Sequence, residues 1–167
     1  MVTYRLGDAL PKAVAERLAR GLDARAPEGE YRRRIESYLD SGFGACLLSR
    51  AEVASCVRET WLKFDRDRSL LHGRVIMPNH VHVVVETRTE YSLGAVVKGW
   101  KSVTARGIHR ICGSRGRVWQ EEYWDRFIRD RSHYRSAMQY MAENPVKAKL
   151  VYRPEDWSWS SFSKKQE

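Results

Sequence analysis

The sequence holds only three cysteines, Cys46, Cys56 and Cys112, and no two of them form a Cys-x-x-Cys pair. That argues against a zinc site built on thiolates, and a scattered odd set reads as reduced, structural thiols. No apolar run approaches the roughly 20 residues that span a bilayer. Residues 1–6 (MVTYRL) lack the apolar stretch and small-residue cleavage site of a secretory leader. A cytoplasmic protein without membrane association is expected. Internal repeats and low-complexity tracts are absent as well. The 167 residues, 43% of them hydrophobic, are expected to form one domain over 1–167, with 150–167 as a C-terminal tail.

Acidic residues are missing from one long stretch. Between Tyr91 and Gln120 there is no Asp or Glu, yet Lys98, Lys101, Arg106, Arg110, Arg115 and Arg117 all fall there. The whole chain carries a net charge of +9 and a pI near 9.7. The total alone is compatible with nucleic-acid binding, membrane-surface binding or plain solubility. The one-signed segment is sharper, because self-repulsion inside a folded domain calls for an anionic partner such as nucleic acid.

Hydrophobic periodicity predicts the elements. Val2 to Leu6 alternates like a strand, and Pro11 opens a helix over 12–22. Pro27 to Gly29 breaks the chain before a charged helix over 30–39. Phe43 to Leu48 reads as a short strand, and Ala51 to Phe64 as an amphipathic helix with Val53, Val57, Trp61 and Phe64 on its apolar side. Leu70 to Met77 and His80 to Val85 flank Pro78 and Asn79, two turn formers, and so predict a tight hairpin. The β-branched run Val81, Val83, Val84, Val85 suits a central strand buried on both faces. Ser92 begins a long helix, Trp119 to Ile128 is irregular or a short strand, and Asp130 caps a helix that Pro145 should stop near Asn144. The sum is an α+β fold: a mostly antiparallel sheet of about four strands with helices on one face, of the ferredoxin or RNA-recognition type.

Two residue pairs carry chemistry. His80 and His82 are one residue apart on a strand, so both imidazoles project from the same face while Val81 points into a core. Neutral imidazoles so placed can share a divalent cation, or can pack and hydrogen-bond beneath a helix. Tyr140 and Asn144 are four apart on the last helix and stack one above the other. They offer a hydroxyl nucleophile and an amide oxygen for a hard cation, or else a core-edge tyrosine and a helix-ending asparagine. Spacing leaves both readings open.

A strand with His-hydrophobic-His followed later by a helical tyrosine resembles the single-tyrosine HUH endonuclease superfamily. More closely, MPNHVHVVV (77–85), WKSVTA (100–105), VWQEEYWDRFIRD (118–130), YMAENPVKAKLV (140–151) and RPEDWSWSS (153–161) resemble the REP-associated tyrosine transposases, relatives of the insertion-sequence transposases. The likeness covers nearly the whole chain in five ordered blocks. It implies the HUH endonuclease fold, with His80, His82 and Asn144 as ligands of Mg²⁺ or Mn²⁺ and Tyr140 as the nucleophile. It further implies metal-dependent nicking and strand transfer on hairpin-bearing single-stranded DNA through a 5′-phosphotyrosine, by a monomer or homodimer. The family usually carries a short basic segment before the first strand, whereas this sequence starts on that strand.

On this expectation Lys98, Lys101, Arg106, Arg115 and Arg117 contact DNA phosphates, Arg126 either does the same or pairs with Asp125 or Asp130, and Trp119 stacks on bases, with Tyr123 and Trp124 as further candidates. Core packing is the competing role for Trp119. A rival function is a catalytically silent module that binds single-stranded nucleic acid, and a further one is a replication or conjugation initiator of the same superfamily.

Overall fold

The computed structural model describes residues 1–19 and 28–164. Four antiparallel strands form its sheet: β1 (Val2–Arg5), β2 (Ser69–Ile76), β3 (His80–Thr87) and β4 (Trp124–Asp125), in the spatial order β2-β3-β1-β4. β3 lies inside the sheet, and its β-branched run fits that place. Val81 and Val83 enter the larger core, whereas Val84 enters a second, smaller one on the opposite face. Strand alternation therefore puts His80 and His82 on the face of Val84.

The larger core is closed by α3 (Ala51–Phe64) and α4 (Leu93–Cys112). α3 buries Val53, Ala54, Val57 and Trp61, and α4 buries Val96, Val97, Trp100, Thr104 and Ile108. These are the three- and four-residue spacings of a helix face. Ser92 caps α4, its hydroxyl accepting from the Ala95 amide at 3.2 Å, and Gly113 ends it at φ 61. Burying a side chain as large as Trp61 or Trp100, both without exposed surface, contributes about 1.5–3 kcal/mol. α1 (Lys12–Ala19) and α2 (Glu28–Asp40) lie between β1 and α3 in the chain, and Ile35 and Leu39 of α2 join the same core.

α5 (Arg131–Lys147) covers the other face through Ala137 and Met141. Helices thus lie on both faces of the sheet, not on one as the sequence suggested. The reason is that Val75, Met77 and Val84 make the second face partly apolar, so that face needs a cover as well. Asp130 caps α5, its carboxylate accepting from the His133 amide at 2.8 Å, as expected. Pro145 does not stop the helix. Its ring removes one main-chain bond but tolerates helical φ, and the Asn144 and Pro145 carbonyls accept from Ala148 and Leu150 in a final turn.

Phe43 to Leu48 is not a strand. Gly42, Gly44 and Cys46 all have positive φ, which coils the segment into a loop ending in a short 3-10 turn, Leu47–Ser49. The fourth strand comes instead from Trp124–Asp125, paired with Val2 and Thr3. Expected helix positions 20–22 and the break at Pro27 fall outside the described residues. The C-terminal tail runs along β2: Ile76 donates to the Trp159 carbonyl at 3.0 Å and Ser161 to that of Arg74 at 2.9 Å. This covers an edge that would otherwise be open to pairing.

Candidate active site

The hairpin turn fixes the start of β3. The Met77 amide donates to the His80 carbonyl across the turn at 2.9 Å, and the turn's own carbonyls are both occupied. Asn79 accepts from Leu6 and Pro78 accepts from Leu48. His80 therefore begins the strand at one defined height, and His82 follows one period on. Their side chains are only 1% exposed.

The Asn79 amide is oriented by its donation to the Phe43 carbonyl at 2.9 Å, which leaves its oxygen to accept from His80 Nδ1 at 2.8 Å. A proton on Nδ1 of a neutral ring leaves the lone pair on Nε2. Burial, and after it the proximity of His82 and Arg5, holds the His80 imidazolium well below its ordinary pKa, so the ring is neutral. His82 Nδ1 lies 2.7 Å from the Thr3 hydroxyl, which stands directly across the β1–β3 ladder. Both rings thus have their outer nitrogens engaged, and their Nε2 atoms meet at 3.1 Å.

Asn144 completes the group from α5. Its side-chain nitrogen is 3.2 Å from His82 Nε2, and its buried Oδ1 has no hydrogen-bond partner. An orphaned amide oxygen costs about 1–3 kcal/mol unless something outside the protein satisfies it. Turning the amide by 180° exchanges oxygen for nitrogen and sets a hard oxygen donor beside the two imidazole lone pairs. Two neutral nitrogens and one carbonyl-type oxygen suit a divalent cation with open positions left over. Among the described residues, no cluster of three or more His, Cys, Asp or Glu side chains is placed to hold a metal, so this mixed set stands on its amide. The half-buried Tyr140 ring lies edge-on to His82, centroids 5.4 Å apart. The two residue pairs read from the sequence therefore converge on one place.

The expected DNA contacts divide. Lys98, Lys101 and Arg117 line a groove of about 550 Å³ between α4 and residues 116–123. The Lys101 ammonium donates to the Glu121 carbonyl at 2.7 Å, and burial, then Arg5, lowers its pKa. Arg106 is exposed on α4 outside that groove, and Arg126 lines a different cleft with the 80%-exposed Phe127. Trp119 corrects the expectation of base stacking. It is 5% exposed, packs edge-to-face on Tyr4 at 4.9 Å and donates to the Thr104 hydroxyl at 2.9 Å, so its faces are taken by the core. Trp124 carries the Arg5 guanidinium 4.7 Å above its ring.

Sequence reasoning missed Thr3 and Asn79, which orient the imidazoles. Asn79 was visible only as a turn former, and Thr3 becomes significant only through the β1–β3 register.

A ferredoxin-like sheet presenting two imidazoles to a tyrosine on a packed helix defines a class of protein. The family described as "Transposase IS200 like" matches residues 51–152, a segment that includes His80, His82, Tyr140 and Asn144, and the chain belongs to that family. The REP-associated tyrosine transposase of Escherichia coli (strain K12) is 29% identical over 110 residues, 64% of this chain and 62% of that protein. A putative REP-associated tyrosine transposase of Haemophilus influenzae (strain ATCC 51907 / DSM 11121 / KW20 / Rd) is 26% identical over 97 residues, 52% of this chain and 55% of that one. The matches thus span less than two thirds of the length of these curated relatives. A solved structure of a REP-associated tyrosine transposase bound to a REP hairpin shares the fold, with a TM-score of 0.58 at 19% identity over 96% of this chain and 74% of that one.

Proposed function

We propose that this protein nicks and rejoins single-stranded DNA through a covalent bond to Tyr140, acting on strands that carry a hairpin. The observation that carries the reading is the convergence of His80 Nε2, His82 Nε2 and the Asn144 amide beside the Tyr140 ring. The transposase family and the hairpin-bound relative support the choice of substrate.

His80, His82 and Asn144 would hold Mg²⁺ or Mn²⁺. When bound, such an ion supplies positive charge against the scissile phosphate as its own charge develops. Asn79 and Thr3 keep the two imidazoles in the orientation that turns their lone pairs inward. The packing of α5 on the sheet holds the Tyr140 ring against His82, so that little freedom is lost on reaching the attacking geometry. The phenol oxygen bonds to phosphorus while the bond to the 3′-oxygen breaks, and the phenol's proton is balanced by the one the departing 3′-oxygen gains. The phosphodiester energy is kept in the phosphotyrosine, so a 3′-hydroxyl can reverse the step on the same or another strand without ATP. The groove of Lys98, Lys101 and Arg117 offers cations to the flanking phosphates.

The test is incubation with labelled single-stranded hairpin DNA and Mn²⁺, followed by a denaturing gel. A protein–DNA adduct from the native chain and none from Tyr140→Phe is the expected result. Salt-sensitive binding with no adduct from the native chain would instead identify a silent binding module.

A further inference from the structure

Tyr140, Glu143, Asn144 and Lys147 lie at intervals of three and four along α5 and so share one side of the helix. Asn144 is the buried member of this side. Two turns beyond the tyrosine, the Lys147 side chain leans back towards the helix N-terminus, as long helical side chains do. Its ammonium stands 5.3 Å from the centre of the Tyr140 ring. Glu143 holds it there at 3.1 Å, and Glu143 is itself held by Gln139 at 2.8 Å. From α2, Asp40 also faces the ammonium electrostatically. The cation beside the tyrosine is thus matched, in the protein alone, by two carboxylates.

We propose that Lys147 is a further catalytic residue, whose ammonium leaves Glu143 to grip a non-bridging oxygen of the scissile phosphate. The inference rests on the strand-transfer reading above. A phosphorus atom attacked by Tyr140 and lying next to His80 and His82 must sit at the edge of the tyrosine ring, within reach of a flexible four-carbon stem. Glu143 gives the ammonium up readily, because both partners are solvent-accessible and such a pair is weak. A phosphate oxygen offers a charge-assisted hydrogen bond in exchange. Lys147 keeps its proton throughout. The bond from Tyr140 to phosphorus forms, the bond to the 3′-oxygen breaks, and the ammonium offsets the charge on the oxygens that take no part in either.

The test compares single-turnover adduct formation by the native chain, Lys147→Met, Lys147→Arg and Glu143→Gln on the same hairpin strand with Mn²⁺, alongside hairpin affinity and thermal melting. Lys147→Met is expected to slow adduct formation at least about tenfold while affinity changes less than about twofold, and Lys147→Arg to recover most of the rate. Glu143→Gln should be as fast as the native chain or faster, since it frees the ammonium. A Lys147 whose role is only to build the Gln139–Glu143–Lys147 ladder predicts equal losses from Lys147→Met and Glu143→Gln, and that result overturns the proposal. So does a native rate for Lys147→Met when the native chain forms the adduct. No adduct from the native chain overturns the strand-transfer reading, and the proposal with it.

Discussion

Replacing Asn144 by alanine separates a cation ligand from a residue that merely ends a helix. Without a divalent ion, the substitution removes a buried oxygen that has no partner, a relief of about 1–3 kcal/mol. It also removes the 3.2 Å contact with His82, worth about 1 kcal/mol, and leaves a small void that costs roughly another 1 kcal/mol. These terms nearly cancel, so the stability should change by less than about 1 kcal/mol, or about 2–4 °C in Tm for a chain of this size. With Mn²⁺ the balance differs. Losing one of three protein donors should weaken the ion at least as much as losing an orienting partner does, about 10–100-fold. At saturating ion, that subtracts about 1.4–2.7 kcal/mol from the stabilisation. Thermal melts across a Mn²⁺ titration would show both effects. A loss above about 2 kcal/mol without metal, or an unchanged Mn²⁺ shift, would refute the ligand assignment.

Three other outcomes are expected. Burial, with a smaller contribution from Glu36, pushes the Asp40 carboxyl up to about 6, against the opposing effect of Lys147. A carboxyl whose folded pKa is raised favours the fold below about pH 4 and loses that contribution as pH rises through 6. Asp40→Asn should therefore stabilise the protein at pH 7.5 by about 1 kcal/mol, after allowance for solvent screening, and should have no effect at pH 4; equal effects at both values would contradict this. Gly44 has φ 92, and a Cβ there would meet the Asp8 carbonyl oxygen at 2.5 Å. Gly44→Ala should cost more than about 2 kcal/mol in urea denaturation, and a neutral result would mean that the loop carrying the Phe43 carbonyl can move aside. Removing Lys98, Lys101 and Arg117 together should lower the salt dependence of single-strand binding by about two logarithmic units per decade of salt. Arg106→Ala, outside the groove, should lower it less than a groove residue does.

Much of the site was legible because its signals are local. One residue between His80 and His82 fixes a shared face on any strand, and three between Tyr140 and Asn144 fix a shared side on any helix. The β-branched run of β3 announced its interior place, and Ser92 and Asp130 announced two helix starts. What escaped depends on long-range partners or on backbone detail. Thr3 meets His82 only through strand register. Apolar residues over 43–48 suggest a strand until the positive φ values of Gly42, Gly44 and Cys46 are seen. Trp119 lies in a basic segment but is claimed by Tyr4 of β1 and by Thr104 of α4, contacts that only the folded chain brings together. Pro145 looked like a stop because its cost was visible and the packing of α5 that outweighs it was not.

The central claim is that Tyr140 is the residue that takes the DNA strand. It is tested most directly by digesting the covalent complex formed with Mn²⁺ and sequencing the nucleotide-bearing peptide by mass spectrometry. The account predicts a nucleotide joined through its 5′-phosphate to Tyr140, with a free 3′-hydroxyl on the released fragment. A nucleotide on Tyr134, on the almost fully exposed Tyr152 or on any other residue would contradict it.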